Sequence, residues 1–307
     1  MFEGFTEFNI TVEPDVTIHG IQSDLSGASS KPALLLLHGF PQTLHIWHRV
    51  APSLTDHFVV IALDLRGYGQ SSKPSIDGDT SHQKYAKSTA AHDCVMVMNA
   101  LGFTGAFYLC AHDRGARVAH KLSVDFPDRV QKLLLLDIAP TLATFQQAGA
   151  AMAQKYWHWF FLIQAAPFPE RAMLSNPELF VQQFFGGASY AGAQGSAIFD
   201  PQALRIYAAQ FSQADCLHGM CEDYRAAATI DLVEAQRDLD AGKKVKCDVR
   251  VLWGSKGIWA NNELLDLMKE WRLVVDGDVS GAATDSGHYI AEESPQDLIR
   301  HIKEFLV

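Results

Sequence analysis

The stretch from Ala106 to Phe126 constrains this chain more than any other. An apolar run, Ala106 to Cys110, predicts a buried strand over 106–112, and a helical pattern runs from Arg114 to about Phe126. Between them stands Ala111-His112-Asp113-Arg114-Gly115. A strand that turns into a helix within so few residues brings two backbones close together. That demands small side chains on both sides of the turn, as Ala111 and Gly115 are. Asp113 at the apex has two readings. It caps an ordinary helix, or it presents a carboxylate that attacks an electrophilic sp³ carbon and leaves a covalent ester on the chain.

The surrounding sequence supplies the frame for such a turn. Phe5 to Ile10 and Val16 to Ile21 alternate as a hairpin does. Leu34–Leu37, Val59–Leu63, Leu133–Leu136 and Val249–Trp253 are continuous apolar runs of the kind buried in a parallel sheet. Leu273 to Val275 is expected to be the last strand. Lys84–Leu101 reads as a helix, and Pro295–Phe305 as a closing amphipathic one. Strands alternating with helices predict an α/β fold with a mostly parallel, doubly wound sheet. From Ala139 to Val245 the pattern breaks into helical segments rich in aromatics. The expected organisation is a core of residues 1–138 and 246–307 with a helical cap of residues 139–245 inserted between two strands.

Charge narrows the partners. Twenty-five basic residues against 35 acidic ones give a net charge of −10, with no long basic run, which argues against nucleic acid. An anionic substrate would then need a local positive site. The longest aliphatic run, Ala33 to Leu37, is too short to span a bilayer, and the first residues lack the basic-then-apolar order of a leader. The five cysteines form no C-x-x-C pair and read as free thiols in a reducing compartment. A cytoplasmic protein without membrane contact is the expectation.

His38-Gly39-Phe40-Pro41, then Asp64-x-Arg66-Gly67-x-Gly69-x-Ser71, then the turn at Asp113, then Gly287-His288 arrive in the order seen in α/β-hydrolases, and the chain resembles that fold along most of its length. Asp113 takes the place usually held by Ser, and Ala111 that of the first Gly. More narrowly the chain is similar to haloacetate (fluoroacetate) dehalogenases. The marks are Asp113-Arg114-x-x-Arg117, Leu136-Asp137-Ile138-Ala139-Pro140, Tyr156-Trp157-His158-Trp159, Asp223-Tyr224-Arg225 and Thr229-Ile230-Asp231. The resemblance implies hydrolysis of a carbon–halogen bond in a small haloacid and, weakly, a homodimer.

Ligands of such sheets bind outside the carboxyl ends of the strands, where Asp113, Asp137, Phe40 and His288 can converge. Among 13 histidines His288 is the best base, because it follows Gly287 in the loop where the hydrolase family keeps its catalytic His. The acid that orients it has two possible homes. One is the loop Gly254-Ser255-Lys256-Gly257, where Gly257 stands in place of a common Asp. The other is Asp137, to which the residues therefore point. Arg114 and Arg117 are three apart on a helix and can share a face; the resemblance implies that they clamp a carboxylate, with Phe40 beside the substrate. It also implies that His158, Trp159 and Tyr224 hold the departing halide, although a purely structural aromatic core is the bland alternative. Backbone N–H groups of Phe40 and Arg114 hold the positions of an oxyanion hole. His38, Asp64 and Arg66 read as loop organisers. No metal-ligand spacing occurs, so neither metal nor organic cofactor is expected. Near Phe184 to Ala188 an aromatic residue would be expected where Gly187 stands, which suggests a wider pocket. An epoxide hydrolase also uses Asp at the turn, but usually with two cap tyrosines and a later acid. A non-catalytic ligand-binding protein is the remaining alternative; a serine esterase has no Gly-x-Ser-x-Gly to rest on.

Overall fold

In the computed structural model, residues 1–24, 31–76, 78–186, 192–260 and 264–307 are described. Eight strands form one sheet in the order β1-β2-β4-β3-β5-β6-β7-β8. β1 (Phe5–Glu13) and β2 (Val16–Ser23) are the expected antiparallel hairpin, with Phe5 opposite Ser23. β2 continues antiparallel onto β4. From there all neighbours are parallel: β3 (Ala33–Leu37), β4 (Val59–Leu63), β5 (Phe107–His112), β6 (Val130–Leu136), β7 (Asp248–Gly254) and β8 (Val279–Thr284). This is the α/β-hydrolase architecture that the order of motifs implied.

Helices α1 (Lys87–Ala100) and α2 (Asp113–Asp125) cover one face of the sheet. Between β6 and β7 the described residues form no strand. They build α3 (Thr141–Gln146), α4 (Ala150–Lys155), α5 (Trp157–Leu162), α6 (Phe168–Ser175), α7 (Pro177–Val181), α8 (Pro201–Ala209), α9 (Ala214–Ala228) and α10 (Ile230–Asp240). After β7 come α11 (Leu267–Val274), α12 (Ile290–Glu293) and α13 (Pro295–Leu306). The continuous apolar runs have a simple cause. Leu35 and Leu37 of β3 pack toward α1 and α2, whereas Leu34 and Leu36 pack with Leu298 and Ile302 of α13, so both faces are buried. Each leucine buried in this way contributes about 2 kcal/mol. Among the described residues no helix is long and apolar enough to cross a membrane.

One expected strand is not a strand. Leu273 and Val274 finish α11, and Val275 makes a single bridge to Val245. The last strand is instead β8, whose residues Ser280-Gly281-Ala282-Ala283 are small, Ser280 and Ala282 half-buried and Gly281 and Ala283 exposed. It lies at the sheet edge with one neighbour. A Cβ on Gly281 would lie 2.5 Å from Met268 Sδ and 2.9 Å from the Trp253 ring, so larger neighbours supply the bulk that the strand lacks. Hydrophobic periodicity misses such a strand because its pairing, not its side chains, places it.

Glycine packing gives a test. A Cβ at Gly115 would sit 2.2 Å from the His38 carbonyl oxygen, whereas nothing lies within 4 Å of one at exposed Gly105. Gly115→Ala is expected to lower unfolding free energy by about 2 kcal/mol through overpacking, and Gly105→Ala by less than about 0.5 kcal/mol. Urea denaturation midpoints of the two variants check this; equal shifts contradict the close approach.

Candidate active site

β5 ends at His112 and α2 begins on Asp113 with no residue between. The turn is tight enough to hold Asp113 at φ 47°, a left-handed conformation that costs about 1 kcal/mol or more for a side chain of this kind. A Cβ on Gly39 would lie 2.5 Å from Asp113 Cβ, so the loop after β3 presses directly on the turn. That contact delivers the Phe40 backbone N–H to Asp113 Oδ1 at 2.9 Å. The carboxylate thus reaches a residue distant in sequence, and helix capping does not describe its role. Asp113 is buried. Burial alone would raise its carboxyl, but the charges around it, chiefly those of His288, Arg114 and Arg117, outweigh it and hold the group below the usual carboxylate range.

Asp137 follows β6 and is likewise left-handed, at φ 50°. Its carboxylate is fully engaged. Oδ1 accepts from the Gly254 backbone N–H at 3.0 Å, and Oδ2 lies 2.7 Å from His288 Nδ1. Two indoles lock the backbone around it: Trp259 Nε1 donates to the Asp137 carbonyl and Trp271 Nε1 to the Ile138 carbonyl. A Cβ on Gly257 would lie 3.5 Å from Asp137 Oδ1. The two possible homes of the orienting acid are therefore adjacent in space, and glycine at 257 leaves the room to Asp137.

His288 is buried with its Nδ1 on Asp137 and Asp113 close enough to act on its charge. Burial pulls its pKa down, but the hydrogen bond and charge of Asp137, then the charge of Asp113, bring it above the ordinary 6.5. The loop that carries it is fixed from two sides. A Cβ on Gly254 would lie 2.0 Å from the Gly287 carbonyl oxygen. His112 Nε2 lies 2.9 Å from the His288 carbonyl oxygen and donates to it, the rings standing 4.6 Å apart. Burial and the His288 charge push His112 down to about 3, so it stays neutral. Nothing in the sequence around His112 indicates this role.

The two arginines are buried beside Asp113. Arg114 Nε and Nη2 donate to the Asp223 carboxylate and carbonyl, each at 2.6 Å, while Nη1 has no partner among the described residues. Arg117 Nη1 donates to Thr141 Oγ1 at 2.8 Å, and its Nε and Nη2 have none among the described residues. Their guanidinium carbons lie over the Tyr224 ring at 4.2 Å and the Trp159 ring at 4.7 Å. His158 stacks on Phe40 with ring centroids 5.9 Å apart, and Tyr224 meets Phe40 edge-on at 5.2 Å. Trp159 Nε1 is buried without a partner among the described residues. Burial depresses the His158 pKa to about 3, leaving a neutral imidazole. Every expected site residue thus falls into one cluster: Asp113, Asp137 and His288, the two arginines, and the aromatic group around Phe40. Phe184 joins that group, 4.9 Å from Phe40. Gly187, the position of the suggested widening, lies outside the described residues. His38, Asp64 and Arg66 bind loops, as expected: Leu65 N–H donates to His38 Nε2, Asp64 accepts from the Leu44 and Gln70 N–H groups, and Arg66 forks onto Asp93.

Known proteins carry the same arrangement of chain. A family model described as alpha/beta hydrolase fold matches residues 32–191. A fluoroacetate dehalogenase from Burkholderia sp is 41% identical, the alignment covering 100% of this chain and 95% of that protein. A soluble epoxide hydrolase from Corynebacterium sp. (strain C12) is 28% identical, with 92% of each chain covered. The crystal structure of a protein provisionally described as an alpha/beta hydrolase, from Nostoc sp PCC 7120, superposes with a TM-score of 0.91 at 41% identity, covering 100% of this chain and 99% of that one. The chain is a member of the α/β-hydrolase family, similar over its whole length to a fluoroacetate dehalogenase.

Proposed function

We propose that the protein is a haloacetate dehalogenase, with residues 139–245 forming a cap over its active site. The observation that carries this reading is a set of buried arginine N–H groups without a partner among the described residues, Arg114 Nη1 and Arg117 Nε and Nη2, beside an ionised Asp113. Leaving such donors buried and unpaired costs about 1–3 kcal/mol each, which a bound carboxylate offsets. An epoxide or other neutral substrate would leave them unsatisfied.

The course follows from the hydrogen bonds. Phe40 N–H already holds Asp113 Oδ1, so Oδ2 is the oxygen free to attack the carbon bearing the halogen. The carbon–halogen bond breaks as the ester forms, and the halide leaves toward the donors of His158, Trp159 and Tyr224. In a buried site a small anion depends on such donors more than it would in water. Oδ1 is then the ester carbonyl oxygen. His288, its Nδ1 on Asp137, takes a proton from water through its other ring nitrogen. The resulting hydroxide attacks Asp113 Cγ, negative charge gathers on Oδ1 under the Phe40 N–H, and collapse releases the hydroxyacid.

Incubated with chloroacetate and with styrene oxide, the protein is expected to release chloride and leave the epoxide intact. Epoxide opening without chloride release would favour the epoxide hydrolase reading. His288→Asn is expected to release one halide per site and then stop, because attack by Asp113 needs no base whereas hydrolysis does. Mass spectrometry should find the peptide containing Asp113 heavier by one carboxymethyl group; sustained turnover would remove His288 from its role.

The pH profile has a defined sign. His288 acts as a base only when neutral, and its pKa lies above 6.5. Turnover should therefore fall with acidification along a limb centred above pH 6.5. Asp137→Asn should move that limb downward and slow turnover roughly 1,000-fold. Adding Gly257→Asp should restore part of the rate, because the second acid enters beside the first. No recovery in the double variant would mean that position 257 cannot serve His288.

A further inference from the structure

Arg114 and Arg117 are three residues apart on α2, yet they are held in opposite ways. The Nε and Nη2 atoms of a guanidinium form its side-on pair of donors, the geometry that fits a carboxylate with two parallel bonds. In Arg114 that pair is engaged by Asp223, and Nη1 is the nitrogen without a partner among the described residues. In Arg117 the pair is open, and Nη1 is the atom tied down, by Thr141.

Asp223 is itself built into a cluster. It stands on α9 with 7% of its surface exposed. Tyr68 Oη donates to its Oδ2 at 2.9 Å, and Lys87 Nζ pairs with its Oδ1. Lys87 is held in turn by Asp231, whose Oδ1 accepts from the Lys87 backbone N–H at 2.8 Å and whose Oδ2 lies 3.5 Å from Nζ. Tyr68 sits in the loop after β4 and Lys87 opens α1, so three separate segments converge on one carboxylate of the insertion. α9 comes that close because two glycines meet: a Cβ on Gly219 would lie 2.5 Å from the Gly67 carbonyl oxygen. Burying so many charges carries a desolvation penalty that hydrophobic packing would avoid. What the cluster supplies instead is a fixed direction for one guanidinium.

We propose that Asp223, backed by Tyr68 and Lys87, is a positioning residue that grips Arg114 by its side-on edge, so that Arg114 offers the substrate carboxylate Nη1 while Arg117 takes that carboxylate with its open two-donor edge. The two arginines then do different jobs. Arg117 supplies the side-on fork, and Arg114 presents its Nη1 end in a direction that depends on a residue that never touches the substrate. This rests on the haloacid reading above.

The test is titration calorimetry with glycolate, which carries the carboxylate and no bond to break, on the wild type, Asp223→Asn, Arg114→Lys, Arg117→Lys and the Asp223→Asn/Arg114→Lys double variant. Asp223→Asn is expected to weaken glycolate binding about tenfold or more, the scale of one charge-assisted hydrogen bond. Because Asp223 acts through Arg114, the double variant should bind no more weakly than Arg114→Lys alone. Arg117→Lys should cost more than Arg114→Lys. Losses that simply add in the double variant would make Asp223 a packing residue and overturn the proposal, as would undiminished binding by Asp223→Asn. If that variant does not fold, Tyr68→Phe keeps every charge and removes one bond to the same carboxylate oxygen. It should weaken binding by a smaller factor and show the same non-additivity with Arg114→Lys; unchanged binding overturns the proposal. Chloride release from chloroacetate by the wild type is measured in parallel. No release, with the glycolate pattern intact, sinks the dehalogenase reading and leaves the positioning role standing. Release without the pattern sinks the positioning role alone.

Discussion

Backbone meets backbone without intervening side chains at the carboxyl ends of the central strands, and the site depends on it. Gly39 lies against Asp113, Gly115 against the His38 carbonyl, and Gly254 against the Gly287 carbonyl. A methyl group at any of them would collide with its neighbour. These contacts bring the loop after β3 against the start of α2, and the end of β7 against the loop after β8, which His112 in turn fastens to the end of β5. They also hold Asp113 and Asp137 in left-handed conformations that neither residue favours. Such strain persists only where surrounding structure over-determines it, and here two indoles and a glycine N–H fix Asp137 while the Phe40 N–H fixes Asp113.

Within that frame, burial and local charge compete, and the winner differs from group to group. At His112 and His158 burial wins, and both imidazoles stay neutral. At Asp113 and His288 the neighbouring charges win, so the carboxylate is kept ionised and the base is kept more basic than it would be in water. At Arg117 burial and the charge of Arg114 together depress the guanidinium to about 10, still charged at neutral pH. A buried centre can carry this much charge because opposite signs alternate through it: Lys87, Asp223 and Arg114, then Asp113 and His288, then Asp137.

The elements whose residues are apolar on both faces were readable from the chain. β3 to β7 fall where predominantly apolar runs place them, and the turn at Asp113 falls where a strand runs into a helix. That Asp113, Asp137 and His288 lie together was readable because chain order and strand ends leave each of them little freedom. β8 was misplaced because Ser280-Gly281-Ala282-Ala283 carries no hydrophobic signal, and only pairing with β7 identifies it. The unequal tethering of Arg114 and Arg117 was not readable at all. Their spacing on a helix is symmetric, and the partner that separates them lies 109 positions away on another helix. The one available signal was an acid, Asp223, inside an otherwise buried helical stretch. Likewise nothing local to His112 announces that it fastens the loop of His288.

The single hydrogen bond from Phe40 N–H to Asp113 Oδ1 also makes the two oxygens of that carboxylate unequal in history. On the proposed course the attacking oxygen leaves with every product molecule, and an oxygen from solvent replaces it. The oxygen under the Phe40 amide is never transferred, as long as the carboxylate does not rotate. One atom of the side chain would then be original to the translated protein for its whole working life. Its partner would be renewed at each cycle, so that each product molecule carries the oxygen taken from water one cycle earlier.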